Sequence, residues 1–201
     1  MRDLALLAIC YLLGSIPFAY LAFWLHSRQD IRARGNGNVG TRNVIRLLGL
    51  RWGLLVLLLD AIKGAAAYWL VVAWGAEWLL YAAPVAVWLG HCFPLWLGLR
   101  GGVGQAAITG YIVALWPIPG AIGVAMFLLL RLPPMLFNVS FAIAFVAFLG
   151  LTYWRGNDWQ GILWLVGLIL LLPIKKLIDM PRQKRILDQE ATTADTEESA
   201  A

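Results

Sequence analysis

The sequence predicts an all-α membrane protein with seven transmembrane segments, the N-terminus outside and the C-terminus in the cytoplasm. Composition is the first observation behind this prediction, because 61% of the 201 residues are hydrophobic, 13% are charged, and the mean hydropathy is +0.75. Soluble domains are about 45–50% apolar and about 25% charged. One aqueous core in a chain of this length cannot bury so much apolar surface. The composition therefore excludes a soluble enzyme, a nucleic-acid-binding domain and a disordered protein.

The second observation is a series of apolar runs, most of which have the length of a membrane-spanning helix. These runs cover residues 4–25, 52–74, 78–97, 133–154 and, slightly short, 161–174. Between them, residues 106–130 are apolar but contain Pro117 and Pro119. Because each proline lacks an N–H group and fixes φ, we expect two short helices here, joined by a turn at the membrane surface. A six-segment count, with this stretch as one kinked span, is the alternative.

The third observation is the distribution of positive charge. The formal net charge is +5, and sixteen residues are Lys or Arg. With seven segments, thirteen of the sixteen fall on the cytoplasmic side, Arg131 among them, while Arg2 and Arg155 fall outside and Lys63 lies within a span. Such an excess is typical of cytoplasmic loops. The positive charge is therefore attributed to topology and anionic headgroups, and not to nucleic acid.

The chain is expected to form one polytopic membrane domain over residues 1–190. Residues 191–201 are small, polar and acidic, which predicts a disordered tail. Cys10 and Cys92 both lie in apolar runs, where buried free thiols are expected. The sequence shows no metal-ligand spacing.

The first cytoplasmic loop, residues 30–46, is rich in glycine, asparagine and arginine. Its glycines allow positive φ and close approach of the backbone, and successive N–H groups in such loops bind anions. Thr41 is predicted to begin a short helix whose N-terminus also favours phosphate. On that helix Arg42 and Arg46 would share one face. A solvated surface loop with topogenic arginines is the alternative.

A second glycine-rich segment, residues 99–105, is predicted on the same side of the membrane and also carries an arginine. Two such loops at one face indicate a ligand with one or two phosphates. His91 precedes this segment and is placed within the third span, several residues from its inner end. It is either a hydrogen-bonded packing residue or a proton carrier near the site.

Asp60 and Lys63 lie three residues apart within the second predicted span. At this spacing the two charges can neutralise each other on one helix face. A structural salt bridge is the first interpretation and a transporter charge relay is the second. The relay is disfavoured because we expect no further Asp, Glu or His in the spans to continue it.

Together these motifs resemble the bacterial integral-membrane acyl-phosphate:glycerol-3-phosphate acyltransferase family. The similarity covers roughly residues 10–107, in order and spacing, and is carried by residues 11–18 (YLLGSIPF), 35–46, 57–64 (LLLDAIKG), 90–94 (GHCFP) and 100–104 (RGGVG). The resemblance implies seven spans in the cell inner membrane, with the active site facing the cytoplasm.

The resemblance also implies the reaction. The hydroxyl of glycerol 3-phosphate attacks the carbonyl of an acyl phosphate, giving lysophosphatidate and inorganic phosphate in phospholipid synthesis. Catalysis would come from positioning two phosphates and stabilising the one that leaves. The expected partners are acyl phosphate, glycerol 3-phosphate and membrane lipid, with no cofactor, no metal and no nucleic acid.

Site roles follow from the same resemblance. The positions assigned to catalysis are His91, Arg46 and Asn43. The positions assigned to substrate phosphate are Gly35, Gly37, Asn38, Gly40, Arg42, Arg100, Gly101, Gly102 and Gly104. The general base is either His91 or a phosphate of the substrate.

The chain departs from the family pattern at several positions. Asn36, Thr41 and Arg42 stand where the family's first loop has Ser, Ala and Thr, and Val103 stands where its second loop has a lysine. Arg42 is a candidate replacement for that lost cation. The family's C-terminal His-x-x-Asn motif is absent. The alternative function is therefore a catalytically weakened paralogue that binds phospholipid or a lipid-synthesis partner, and a transporter is the third.

Overall fold

The computed structural model describes residues 1–130, 137–156 and 159–199, and the described residues contain helices and no strand. In chain order the helices are α1 (Arg2–Ser15), α2 (Phe18–Ser27), α3 (Thr41–Leu48), α4 (Leu50–Trp74), α5 (Leu79–Cys92), α6 (Gln105–Leu115), α7 (Pro117–Leu129), α8 (Phe137–Trp154) and α9 (Trp159–Ser199). Short 3₁₀ turns cover Ile31–Ala33 and Leu95–Leu97.

Four helical segments are long and apolar enough to cross a membrane: Arg2–Ser27, Leu50–Trp74, Leu79–Leu97 and Trp159–Gln189. Three shorter apolar helices accompany them, at Gln105–Leu115, Pro117–Leu129 and Val139–Trp154. The all-helical membrane class is confirmed. So is the division of residues 106–130 into two helices, because Trp116 interrupts them with a non-helical backbone conformation just before Pro117. Arg131 and the predicted start of a span at residue 133 lie outside the described residues.

The span predicted over residues 4–25 corresponds to the candidate span Arg2–Ser27, but its helix is interrupted. The helix stops at Ser15 and restarts at Phe18, with Ile16 in an extended conformation. Pro17 causes the break, since it lacks an N–H group and disfavours a helical conformation at the residue before it. The break frees a carbonyl group within the apolar part of the protein, and this carbonyl becomes part of the site described below.

The span predicted over residues 78–97 corresponds to the candidate span Leu79–Leu97, and only its first part is α-helix. Helix α5 ends at Cys92, and the chain turns through Pro94 into the 3₁₀ turn Leu95–Leu97. His91 therefore lies next to the last residue of its helix and not several residues inside it. This position puts the imidazole where the helix meets the second glycine-rich loop.

The last helix, α9, is much longer than the span predicted over residues 161–174. It contains 41 residues, with Pro173 and Pro181 inside it. At about 1.5 Å per residue it measures about 60 Å, which is twice the hydrocarbon thickness of about 30 Å. The helix thus continues well past its apolar part. It includes residues 191–199, where the sequence predicts disorder, and that tail's behaviour in solution stays a prediction.

Glycines allow the central helices to approach closely. A Cβ on Gly14 of α1 would collide with the backbone of α5, and one on Gly90 of α5 would collide with the backbone of α1. Gly64 of α4 and Gly110 of α6 make the same reciprocal arrangement between their helices. Small residues at such crossings are typical of packing in membranes. The two crossings gather one end of α1, α4 and α5 around the site.

Candidate functional site

Asn43 organises the first glycine-rich loop. Its side chain is completely buried at the start of α3. Its Nδ2 donates to the backbone carbonyls of Arg34 at 3.0 Å, Asn38 at 3.1 Å and Ile31 at 3.5 Å. Its Oδ1 accepts the N–H of Asn36 at 3.1 Å. Both ends of the amide therefore hold the loop together, so the structure gives Asn43 a positioning role.

Several backbone N–H groups of the first loop donate hydrogen bonds to acceptors within the same loop. Gly35 and Gly37 have φ of +60° and +65°, as the sequence predicts for a tightly turning loop. The N–H groups of residues 36, 37, 38 and 40 all have partners within the loop, donating to Asn43 Oδ1, Arg34 O, Asn36 Oδ1 and Asn38 O. Phosphate binding by Gly35, Gly37, Asn38 and Gly40 stays a prediction, and the N–H groups of Gly37, Asn38 and Gly40 are already hydrogen-bonded within the protein.

Arg32 ties the first loop to the turn before the second. Its Nε and Nη2 bind the carboxylate of Asp30 at 3.0 and 2.6 Å, and its Nη1 donates to the carbonyl of Leu97 at 2.6 Å. Partial burial acts to raise the pKa of Asp30, but the hydrogen bonds and charge of Arg32 outweigh burial and hold that pKa below its usual value. The sequence interpretation counted Arg32 only as a topogenic charge.

The two glycine-rich loops meet around His91, as expected from their predicted position on one side. The N–H groups of Gly101 and Gly102 donate to the carbonyls of Cys92 and His91 at 3.0 and 3.2 Å. A Cβ on Gly102 would collide with the carbonyl of Val39 in the first loop and with Nε2 of His91. Glycine at this position thus allows the first loop, the second loop and the end of α5 to come into contact.

Lys63 lies at the centre of a buried polar cluster formed with Asp60 and His91. Its Nζ is 2.6 Å from Asp60 Oδ1 and 2.9 Å from His91 Nδ1, and it donates to the freed carbonyl of Ile16 at 3.1 Å. The side chains of Asp60, Lys63 and His91 are 3%, 3% and 8% exposed. The predicted salt bridge is present. The expectation that no further ionisable residue joins it is wrong, because the end of α5 brings His91 to it.

The cluster also fixes the hydrogen-bonding role of His91. An ammonium group only donates, so Nδ1 of His91 accepts from Lys63. In a neutral imidazole the hydrogen then resides on Nε2, the atom that faces Gly102. Nδ1 also lies 3.6 Å from Asp60 Oδ1, farther than the 2.9 Å to Lys63, so the shorter contact favours Nε2 as a hydrogen-bond donor directed at the junction of the two loops.

Three arginines predicted to bind phosphate stand on the exposed surface of the two loops. Arg42 and Arg46 both lie on α3, which begins at Thr41 as predicted, and Arg100 begins the second loop. The Cδ of Arg46 lies 3.5 Å from where a Cβ on Gly35 would stand, so its stem follows the first loop. Gly104 starts α6 with φ of +84° and packs beside Trp88.

Sequence interpretation missed the contribution of α9. Lys175 and Asp179 form a buried ion pair, 2% and 6% exposed, and Lys175 Nζ lies 5.2 Å from the centre of the Phe93 ring. Their spacing of four residues just after an apolar run was the available signal. Across the described residues, no group of three His, Cys, Asp or Glu side chains is placed to hold a metal ion.

Sequence comparisons find related proteins along most of the chain. A glycerol-3-phosphate acyltransferase family model matches residues 4–182. The chain is 44% identical over 117 residues to a glycerol-3-phosphate acyltransferase of Syntrophomonas wolfei, covering 58% of this chain and 60% of that protein. It is 37% identical over 167 residues to glycerol-3-phosphate acyltransferase 4 of Dehalococcoides mccartyi, covering 82% of each. The first match thus spans less than two thirds of the relative's length.

The fold is also similar to that of a solved enzyme. The crystal structure of PlsY (YgiH), an integral membrane glycerol 3-phosphate acyltransferase, in its glycerol 3-phosphate form, matches with a TM-score of 0.72 at 27% identity and covers 96% of this chain and 94% of that one. The lysophosphatidic acid form of the same enzyme matches with a TM-score of 0.69 at 26% identity.

Proposed function

Because the chain belongs to the glycerol-3-phosphate acyltransferase family, we propose that it transfers an acyl chain from an acyl phosphate to glycerol 3-phosphate. The products are lysophosphatidate and inorganic phosphate, and the reaction belongs to phospholipid synthesis. Lysophosphatidic acid and glycerol 3-phosphate are the compounds present in the two PlsY structures that the fold resembles.

The observation that carries the proposal is the junction of two glycine-rich loops at one end of an apolar helical bundle. Gly102 brings the second loop against Val39 of the first loop and against His91. Cationic side chains surround this junction, and exposed apolar helices adjoin it. An acyl phosphate fits such a boundary, because its chain remains in lipid while its phosphate reaches the basic loops.

The reaction needs no covalent intermediate on the protein, since an acyl phosphate is already activated. The hydroxyl oxygen of glycerol 3-phosphate forms a bond to the acyl carbon, and the bond from that carbon to the phosphate oxygen breaks. The hydroxyl proton passes to a phosphate oxygen, and inorganic phosphate leaves. Catalysis on this scheme comes from positioning the two substrates and stabilising the negative charge on the departing phosphate.

Arg42, Arg46 and Arg100 are proposed to bind the two phosphate groups. Their exposure leaves the guanidinium groups accessible to small anions. A guanidinium binds two oxygens of one phosphate with parallel hydrogen bonds, which fixes both position and orientation. Asn43 keeps α3 and the first loop in register behind them, so we propose that it acts on the substrates through these arginines.

A phosphate of the substrate is the proposed general base. His91 is poorly suited to that role, because Lys63 holds Nδ1 as the acceptor and leaves the hydrogen on Nε2. We propose instead that Nε2 donates a hydrogen bond that holds the junction of the loops, or a substrate oxygen at that junction. His91 is then a positioning group.

The proposed membrane arrangement has seven spans, the N-terminus outside, and both loops on the cytoplasmic side of the inner membrane. Its support is the concentration of thirteen of the sixteen Lys and Arg residues on one predicted side. The proposed domain organisation is a single membrane domain over residues 1–190, followed by a disordered acidic tail over residues 191–201.

The decisive test is turnover by purified protein in detergent. With acyl phosphate and glycerol 3-phosphate present, we expect stoichiometric release of inorganic phosphate and formation of lysophosphatidate, measured by a phosphate assay and by mass spectrometry. Phosphate release without glycerol 3-phosphate would indicate hydrolysis and contradict acyl transfer. Absence of both products, with this acceptor and with other phosphorylated alcohols, would overturn the proposal.

A further inference from the structure

One face of α9 carries four residues that lie along the glycine-rich loops. Lys175, Asp179, Arg182 and Ile186 fall within about 60° of the helix circumference, because each residue of an α-helix advances by about 100°. Lys175 and Asp179 form the buried ion pair, and Arg182 Nη2 lies 3.7 Å from the other carboxylate oxygen of Asp179. This set is called the inner face of α9.

The two ends of the inner face contact different segments. At one end, Lys175 Nζ lies 5.2 Å from the centre of the ring of Phe93, the residue that follows the end of α5 and precedes the turn leading to the second loop. At the other end, a Cβ on Gly37 would collide with Cδ1 of Ile186, so this side chain lies directly on the first loop. The inner face therefore runs from the end of α5 to the first loop, and Arg182 lies between its two contacts.

Arg182 presents an edge of its guanidinium group without a hydrogen-bond acceptor. Its Nε and Nη2 atoms are buried and have no hydrogen-bond partner among the described residues. Leaving buried charged donors unpaired is unfavourable by more than an ordinary hydrogen bond contributes. The side chain as a whole is 26% exposed, so its exposed surface lies outside this buried edge.

Arg32 shows what this edge binds elsewhere in the same protein. Its Nε and Nη2 atoms hold the carboxylate of Asp30 with parallel hydrogen bonds. Arg182 offers the same pair of donors, but the nearest carboxylate, Asp179, is already neutralised by Lys175. Two oxygens of an anion match this edge in geometry and in charge.

We propose that the Nε–Nη2 edge of Arg182 binds a substrate phosphate group at the junction of the two loops, held in place by Asp179 and Ile186. The inference rests on the proposed function for the identity of the substrates, and the ligand chemistry is that of a phosphate monoester or an acyl phosphate. It adds to the site a cation from a helix that sequence interpretation left out.

The test compares Arg182→Gln with Arg185→Gln. Arg185 lies on the same helix and is exposed, so its replacement removes the same charge without removing the buried edge. We expect Arg182→Gln to raise KM for one of the two substrates about tenfold or more, and Arg185→Gln to leave both KM values unchanged. Separate titrations of acyl phosphate and glycerol 3-phosphate identify the phosphate that Arg182 binds. Equal KM values in the two variants would overturn the proposal.

Two further measurements separate this inference from the proposed function and from misfolding. Binding of glycerol 3-phosphate and of inorganic phosphate, measured as the rise in Tm of the detergent-solubilised protein, does not require turnover. If wild type shows no turnover but its Tm rise is lost in Arg182→Gln alone, the phosphate site stands and the proposed function fails. Arg182→Lys keeps the charge but not the two-donor edge, so a fully restored KM in a folded Arg182→Lys protein would count against the proposal.

Discussion

At the scale of single residues, Asn43 shows how one buried amide shapes a loop that is mostly glycine. Three carbonyl oxygens converge on its Nδ2, and its Oδ1 takes an N–H from the same loop. Only an amide side chain supplies two N–H donors and a carbonyl acceptor together, and asparagine is the shorter of the two amide residues. A carboxylate at this position would replace the donating NH₂ group with an accepting oxygen. The position therefore depends on asparagine itself.

Asn43→Asp is predicted to damage the loop severely. The new oxygen would face three carbonyl oxygens, which should lower the free energy of unfolding by about 3 kcal/mol and reduce kcat/KM at least tenfold. Thermal unfolding in detergent and steady-state kinetics measure the two effects. Asn36→Asp is the matched control, because the Asn36 side chain contributes its Oδ1 as an acceptor, and aspartate retains that acceptor. Equal Tm values for the two variants would contradict the role assigned to Asn43.

His91 gives a second prediction at this scale, in the pH profile of kcat. The side-chain amide of a His91→Asn variant keeps an acceptor near Lys63, so the protein should fold while kcat falls about tenfold through loss of the Nε2 donor. The shape of the pH profile should not change, because a phosphate of the substrate is the proposed base. His26→Asn removes the other histidine, which is exposed on α2, and serves as the control. Disappearance of the acidic limb in His91→Asn alone would restore His91 as the base.

At the scale of elements, the break between α1 and α2 and the charged cluster on α4 stabilise each other. The break at Pro17 takes the carbonyl of Ile16 out of the helical pattern, where it accepts the N–H of Phe18 at 3.2 Å and a hydrogen bond from Lys63, which also lies beside Asp60 and His91. A buried ammonium group needs hydrogen-bond acceptors, and the break supplies one of them, so the break stabilises the lysine. One ammonium group thereby joins α1, α4 and α5.

Lys63→Met is predicted to lower the free energy of unfolding by about 3–5 kcal/mol, because Asp60 would remain buried without its cation. The double variant Lys63→Met, Asp60→Leu should recover part of that loss, since no unpaired charge remains. Thermal unfolding in detergent compares both with Arg51→Met, which removes an exposed cation from the same helix and should be near neutral. A double variant less stable than Lys63→Met would contradict the prediction.

The elements also show which local features the sequence makes predictable. Pro117 and Pro119 were interpreted as a division between two helices, and the structure has that division. Pro17 has the same chemistry but is a single proline within its apolar run, and that run was interpreted as one span. Pro173 and Pro181 lie within α9, which continues through both. Proline lacks an N–H donor at each place, and the surrounding packing decides whether the helix ends there.

At the scale of the whole molecule, the site is assembled by contacts between residues that are distant in sequence. Glycine content and charge predict that the two loops lie on one side, since both follow from local composition. The contacts of Arg32 with Leu97, of Lys63 with His91 and of Ile186 with Gly37 depend on how the helices pack. The periodicity of apolar residues indicates which face of a helix is buried, but it does not indicate which residues of another helix that face contacts. The arrangement of the loops was therefore predictable, and the residues that hold them together were not.

The orientation of the whole chain yields the last prediction, which cysteine labelling can test. Cys10 and Cys92 are buried, so they should not react with a membrane-impermeant maleimide. Single cysteines can be introduced at three exposed positions, Glu77, Arg155 and Lys184. With seven spans, intact bacterial cells should label the cysteines replacing Glu77 and Arg155 but not the one replacing Lys184, which should react only after lysis. In a six-span chain, residue 155 would lie in the cytoplasm and residue 184 would lie outside, while residue 77 would remain outside. That exchange would refute the seven-span arrangement, while labelling at Lys184 together with protection at Glu77 would refute the orientation itself.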